Sequence, residues 1–325
     1  MVTPVTPLPH QVEWFNTIVT RFRNGELVVL DTSKMGLGKT YGPLFAAQTF
    51  QLPLFVVGPA SSVSTWDRAC NTHGIRKVAY YSYQALAGTE SKGTSCIYLI
   101  RHDERAAERV DGASGARTTV YEPTQELINL LHHGVIFVFD EVQDITSGGG
   151  NTYNKAILAI MNAVRAYPNA ARAFFLSATP IKSEKEIITF LPLLGCLTPG
   201  IAMLGPEKKG KTRLTFRERM LDHGLGEMYE FCRKYDPVLT DQIIDSAYDD
   251  KAPKKGRSTA NAALAKKVAI DLYAKVIGKH VGGYMEKMES EEFKCYFYNL
   301  YTPLSRTSYA AVTRAISDFE KEVYY

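Results

Sequence analysis

Short apolar runs punctuate the first half of the chain: Leu27–Leu30, Leu54–Val57, Val78–Tyr83, Val135–Phe139 and Ala173–Leu176. Such runs are the pattern of a strand buried on both faces of a parallel sheet. Between them the apolar spacing becomes helical. Trp14, Phe15, Ile18 and Val19 lie on one face of Val12–Phe22, and Tyr41–Phe50, the segment carrying Trp66, Pro123–His133, Tyr153–Tyr167 and Glu184–Leu194 also read as helices. Strands alternating with helices predict an α/β fold around a parallel sheet.

Two stretches break the alternation. From Gly88 to Thr119 the chain becomes charged and glycine-bearing, and Cys96–Ile100 and Thr118–Tyr121 read as the arms of a hairpin-like insertion, about 88–120. Gly148–Gly150 reads as a flexible break. Beyond residue 200 a basic, mostly helical extension is expected over 201–292, with one long helix over Ala260–Met288. A strand over Phe293–Leu300 and a helix over Pro303–Val323 would follow in a segment spanning 293–325. Its basic clusters (Lys208, Lys209, Lys211, Arg213, Arg217 and Arg219, then Lys251, Lys254, Lys255 and Arg257) read as solvated charge or as phosphate contacts.

Composition adds little beyond ordinary globular character: 325 residues, 45% hydrophobic, 22% charged, net charge +4. The charge is too mild to demand nucleic acid or exclude it. The five cysteines are far apart and lack metal-ligand spacing, which predicts reduced thiols in a reducing, intracellular compartment. No apolar run approaches the ~20 residues that span a bilayer, and no membrane association is expected.

The chemistry concentrates where strands end. After Leu27–Leu30 comes Asp31-Thr32-Ser33-Lys34-Met35-Gly36-Leu37-Gly38-Lys39-Thr40, and then a helix. A phosphate cradle needs glycines so that backbone N–H groups can approach oxygens, and a helix N-terminus for positive potential. Lys39 would reach the β- and γ-phosphates of ATP, and the Thr40 hydroxyl would bind Mg²⁺. The full loop pattern asks for glycine at position 33, where this chain has serine. Gln11, at the start of the first helix, reads either as a surface residue or as a carboxamide matched to an adenine edge.

The run Val135–Phe139 delivers Asp140-Glu141-Val142-Gln143 to a strand's C-terminal end, where open α/β sheets bind ligands. Asp140 suits Mg²⁺ and Glu141 suits the attacking water. Two acids directly after five apolar residues are costly to bury unless they meet a cation. Pro59 and Ser61 follow another strand, where serines either cap a helix or hold a backbone phosphate. Ser177 and Thr179, in Ser-Ala-Thr-Pro after Leu176, carry hydroxyls suited to bond the Asp140–Gln143 loop.

Together these segments resemble the nucleic-acid motor ATPases of helicase superfamily 2 (DEAD/DEAH-type), most closely the Swi/Snf-like branch. Met35-Gly36-Leu37-Gly38-Lys39-Thr40 is similar to that branch's P-loop. Asp140-Glu141-Val142-Gln143 is similar to its acid box, with glutamine where histidine is usual. Leu176–Ile181 is similar to its third motif, Pro59 and Trp66 to its Pro-x-Ser-x-x-x-x-Trp element, and Gln11 to its adenine-reading glutamine. The hairpin before the acid box and Gln143 also resemble helicases of large DNA viruses.

The resemblance implies a RecA-like ATP-binding lobe over 1–200, with a central parallel sheet and helices on both faces. It implies ATP and Mg²⁺ as cofactors, nucleic acid (DNA ahead of RNA) as partner, and coupling of hydrolysis to grip through Gln143, Ser177 and Thr179. It also implies a second RecA-like lobe supplying arginine fingers. No Gln-x-x-Gly-Arg-x-x-Arg element occurs here, so the isolated chain is expected to bind ATP weakly and hydrolyse it slowly. An alternative is a catalytically poor nucleotide-binding scaffold that docks a partner's arginine. A small-molecule P-loop kinase ranks last, since it leaves the third motif unexplained.

Overall fold

The computed structural model describes residues 3–88, 96–105, 117–146, 152–178, 184–249, 257–283 and 285. The chain opens with α1 (Pro9–Arg23), β1 (Val28–Asp31), α2 (Tyr41–Phe50), β2 (Leu54–Gly58), α3 (Val63–His73), β3 (Lys77–Ser82) and the single turn α4 (Tyr83–Leu86). The insertion forms β4 (Leu99–Arg105) and β5 (Arg117–Pro123), an antiparallel hairpin in a sheet of its own. Then follow α5 (Gln125–His133), β6 (Val135–Asp140), the short α6 (Gln143–Thr146), α7 (Thr152–Ala166), β7 (Ala171–Leu176) and α8 (Glu184–Leu194). Beyond residue 200 lie β8 (Lys208–Lys209), β9 (Thr212–Arg213), α9 (Phe216–Leu221), α10 (Gly224–Arg233), α11 (Pro237–Asp249), α12 (Arg257–Leu272), α13 (Gly278–His280) and β10 (Gly282–Gly283).

The main sheet runs β10-β1-β7-β6-β2-β3, and every pairing in it is parallel. Two-residue alternation sorts its side chains into two cores. Leu30, Phe55, Val57, Phe137, Phe139 and Phe175 face one way and pack with α5, α7 and α8. Val29, Leu54, Val56, Ile136, Val138 and Phe174 face the other and pack with Phe15, Ile18 and Phe22 of α1, Leu44 of α2 and Trp66 of α3. Both faces are therefore dry, which is why these strands carry apolar residues without interruption. The expected α/β fold, a parallel sheet with helices on both faces, is the one observed.

Met220, Leu225, Met228, Cys232, Ile244, Val268 and Leu272, all beyond residue 200, belong to the same core as Phe137 and Phe175. One feature differs from the expectation. The long helix expected to reach Met288 instead passes through a π-helical turn at Tyr273–Ile277 and ends with α13 at His280. The chain then enters the sheet beside β1. Leu30 N–H donates to Val281 O (3.1 Å) and Thr32 N–H to Gly283 O (2.8 Å). The Arg21 guanidinium donates to Val281 O (2.9 Å) and Gly282 O (3.3 Å), fixing the segment from α1.

The glycine at 283 is what permits this docking. A Cβ there would stand 2.1 Å from Trp14 Cζ3. A side chain on this edge and the indole cannot occupy the same space.

Gly148–Gly150, the insertion tip, Thr179–Ile181, Lys251, Lys254, Lys255 and the expected elements from Phe293 to Val323 lie outside the described residues. No described helix is long and apolar enough to cross a membrane.

Gly283→Ala should lower stability by about 2 kcal/mol, the scale of overpacking a filled site. Urea denaturation would show it as a lower midpoint with an unchanged slope. Gly36→Ala, where the added methyl meets open space, gives the cost of a left-handed alanine alone.

Candidate nucleotide site

Asp31 and Asp140 end two parallel strands, β1 and β6, separated in the sheet only by β7. Both carboxyls are largely buried, and each receives one indole. Trp14 Nε1 donates to Asp31 Oδ2 (3.0 Å), and Trp66 Nε1 donates to Asp140 Oδ2 (3.0 Å). Asp31 Oδ1 also accepts from Ser33 N–H (2.9 Å). Burial raises both carboxyls above the ordinary aspartate range. The indole hydrogen bonds oppose that rise, and so does the Lys39 ammonium, which acts on both. For Asp140 the neighbouring Glu141 adds to the rise. Lys39 and Asp140, 101 positions apart (140 − 39), thus lie near enough for the ammonium to act on the carboxyl.

The loop between β1 and α2 is shaped by two left-handed glycines, Gly36 (φ +82°) and Gly38 (φ +85°). Gly38 is also crowded: a Cβ would come within 2.6 Å of Gln11 Nε2. Lys39 Nζ curls back to Ser33 O (2.9 Å) and Lys34 O (3.3 Å). Thr40 precedes α2 without a side-chain cap. Among the described residues, no protein acceptor takes the N–H groups of Gly36, Gly38, Lys39 or Thr40. Adjacent free N–H groups at a helix start suit an anion.

Ser33, which stands where the full loop pattern has glycine, is fully buried and bonded on every side. Its hydroxyl accepts Met285 N–H (2.8 Å), its carbonyl accepts Lys39, and its N–H serves Asp31. The serine ties the loop to the segment after β10, a bond that glycine could not make.

Gln11 is nearly buried. Its Oε1 accepts Leu8 N–H (3.0 Å) and its Nε2 donates to Leu37 O (3.0 Å). One N–H and one lone pair remain on the carboxamide. Tyr41 lies beside it: its Cδ2 would be 3.4 Å from a Cβ on Gly38. The ring is 40% exposed and meets His73 edge-on at 5.7 Å. With Leu8, Val12 and Met35 it contributes exposed apolar surface around the loop.

The acid loop is tightly wired. Glu141 is one of two non-glycine residues among those described with positive φ (+55°), a conformation that costs of order 1 kcal/mol. Gln143 Nε2 donates to Glu141 Oε2 (2.7 Å), and Ser177 Oγ donates to Gln143 Oε1. Ser177 N–H donates to Asp31 O (3.1 Å) and Val142 N–H to Leu176 O (3.1 Å). The middle strand β7 therefore links β1 to β6 and the acid loop after it. The expected bond between a third-motif hydroxyl and the acid loop is present through Ser177; Thr179 lies outside the described residues.

Pro59 O accepts the Tyr80 hydroxyl (2.5 Å), and Tyr83 donates to Asp140 O (2.5 Å). Ser61 is exposed in the short 3₁₀ turn Ala60–Ser62, and Ser62, at the cap position of α3, makes no side-chain cap. Helix capping thus fails to explain this serine pair. Sequence reasoning did not assign Trp14, Asp31, Tyr41, Tyr80 or Tyr83 to the site. Asp31 was visible as an acid ending an apolar run, but its indole partner lies 17 positions upstream on another element. Among the described residues no cluster of three His, Cys, Asp or Glu side chains suits a metal, so a divalent ion here would rest on Asp140, Thr40, phosphate oxygens and water.

Two solved structures are similar to part of this chain. The Sulfolobus solfataricus SWI2/SNF2 ATPase core in complex with dsDNA is 16% identical, with a TM-score of 0.37, over 61% of this chain and 37% of that one. The DUF1998 helicase MrfA bound to DNA and AMPPNP is 12% identical, with a TM-score of 0.33, over 77% of this chain and 39% of that one. The chain thus spans less than two fifths of the length of either. No family model matches the chain, and no curated protein matches it in sequence.

The raised Asp140 pKa has a signed consequence. A carboxyl that holds its proton more tightly when folded makes the unliganded protein lose stability as pH rises from the ordinary aspartate value through the raised one. Cation binding needs the ionised form and runs the other way. Mg²⁺-dependent nucleotide affinity should therefore fall on acidification at a higher pH than an exposed aspartate gives. Trp66→Phe removes an opposing hydrogen bond and should move that fall to higher pH still. Affinity titrations from pH 8 down to 5 would read both, and an identical profile in Trp66→Phe would refute the indole's role.

Proposed function

We propose that this chain is the ATP-binding lobe of a nucleic-acid-dependent motor ATPase of the superfamily 2, Swi/Snf-like type. The observation that carries the reading is the convergence of Lys39, with the unbonded N–H groups around it, on the buried Asp140 at one end of the sheet. Phosphoryl transfer from ATP to water needs mainly positioning and charge neutralisation, and these residues supply both. Lys39 leaves Ser33 O and Lys34 O to neutralise the β- and γ-phosphates. Thr40 and Asp140 would hold Mg²⁺, which would supply charge neutralisation to the phosphates. Glu141, aimed by Gln143, orients and deprotonates the attacking water. The Gln143–Ser177 bond, with Thr179 beyond it, couples phosphate state to nucleic-acid grip, and Pro59 and Ser61 face the backbone phosphates.

Gln11 spends its remaining N–H and lone pair on the adenine edge, and Tyr41 beside it offers a ring face for the base to stack on. DNA is favoured over RNA as the partner, and a second RecA-like lobe supplies the arginine. A reducing, intracellular location fits the four described cysteines, all free and buried.

Three substitutions divide the roles. Lys39→Ala should abolish ATP binding. Glu141→Gln should keep nucleotide affinity within about threefold while lowering turnover by about 100-fold or more, the scale of a lost general base. Tyr41→Ala should weaken ATP about tenfold but leave inorganic tripolyphosphate binding unchanged, since stacking is worth about 1–3 kcal/mol. Calorimetry with both ligands and a phosphate-release assay, run with and without duplex DNA, measure all three. ATP binding that survives Lys39→Ala would remove the basis of the proposal.

A further inference from the structure

The segment after α8 carries a minimal antiparallel hairpin, β8 and β9, and all six residues from Lys208 to Arg213 are exposed. Gly210 sits at the first central position of its two-residue turn with φ +62°, the II′ arrangement that matches strand twist. The register sets Lys208 opposite Arg213 and Lys209 opposite Thr212. Leu214 N–H donates to Glu207 O (3.0 Å), which makes Glu207/Leu214 a hydrogen-bonded pair. Antiparallel pairs alternate, so Lys208/Arg213 is a non-hydrogen-bonded pair, the kind in which opposing side chains stand closest. Two cations are thus set face to face, which opposes hairpin formation.

Nearby acids do not relieve this. Asp222 pairs with Lys209 (3.3 Å), Asp245 with Arg217 (3.5 Å) and Glu207 with Arg219 (3.8 Å). Glu218 is used in the cap of α9 with Thr215. Among the described residues, no carboxylate lies within 4 Å of Lys208, Lys211 or Arg213. The segment thus neutralises Lys209, Arg217 and Arg219 internally and leaves three charges on one exposed hairpin uncompensated.

We propose that the β8–β9 hairpin binds a nucleic-acid backbone, with Lys208 and Arg213 together on one phosphate and Lys211 at the tip on an adjacent one. The assignment rests on the motor reading above and adds to it residues that the nucleotide site does not use. A phosphodiester chain fits because it presents single negative charges at short, regular intervals to closely spaced cations. It also removes the cross-strand repulsion that the free hairpin carries.

The test uses the full chain and a labelled duplex oligonucleotide, with affinity measured across a series of KCl concentrations. Nucleotide affinity is measured alongside. Replacing Lys208, Lys211 and Arg213 together by alanine should make the plot of log affinity against log salt shallower by about 0.9 for every phosphate the hairpin no longer neutralises. Lys208→Glu should weaken DNA binding yet raise the melting temperature, because it turns the repulsive pair into an attractive one. A merely structural role for these cations predicts no such opposition. If the wild type binds DNA and the triple variant binds it with the same slope and affinity, the hairpin assignment falls, and an acidic protein becomes the partner to test. If the wild type binds ATP but no nucleic acid, the nucleic-acid half of the motor reading falls as well.

Discussion

Everything at this sheet edge depends on keeping two carboxylates out of water. A buried acid without a partner either protonates or opens the structure around it. Here each acid meets an indole N–H from the helical layer on one side of the sheet: Trp14 from α1 for Asp31, Trp66 from α3 for Asp140. An indole donates without carrying charge and buries a large ring while doing so. The same two tryptophans therefore fill the core and hold the polar ends of the strands. A cation that acts on both acids, Lys39, lies on the loop between β1 and α2.

This arrangement explains the strand order. With β7 between β1 and β6, the two acids are close but not on adjacent strands, and the intervening strand can bond to both sides. Ser177 at its end does so, touching the Asp31 carbonyl through its N–H and Gln143 through its hydroxyl. One serine thus bridges the end of β1 and the loop that follows β6. On the outer side of β1 the chain returns 250 residues later (282 − 32) and is pinned by Thr32, Ser33, Trp14 and Arg21. Ser33 is thus held twice, by Asp31 and Lys39 nearby and by Met285 from the far end of the chain.

Much of this was legible in the sequence. Five of the six strands appeared as apolar runs because both faces of the sheet are dry. The loop glycines and the acids at strand ends were visible because they sit in fixed order along the chain. The sixth strand was not legible. Gly282-Gly283 carries no side-chain pattern, and the helical spacing before it continued smoothly enough to suggest a helix to Met288. Its reason for being glycine is the Trp14 ring, a contact spanning 269 positions (283 − 14) that no local window contains. Ser33 was read as a departure from a pattern, whereas its hydroxyl makes a bond the pattern lacks. The tryptophans looked like core, which they are, and the nitrogen that gives them a second role has no signature in spacing.

One detail of the loop bears on how a ligand is received. The Lys39 ammonium is held by the carbonyls of Ser33 and Lys34. On the proposed reading, an arriving triphosphate would find not a loose side chain but a cation already held by two backbone oxygens. Capture would then be an exchange of acceptors, with two neutral oxygens surrendering the ammonium to anionic ones. The net gain is the difference between those two embraces, while the disorder that would otherwise be lost on arrival has already been lost during folding.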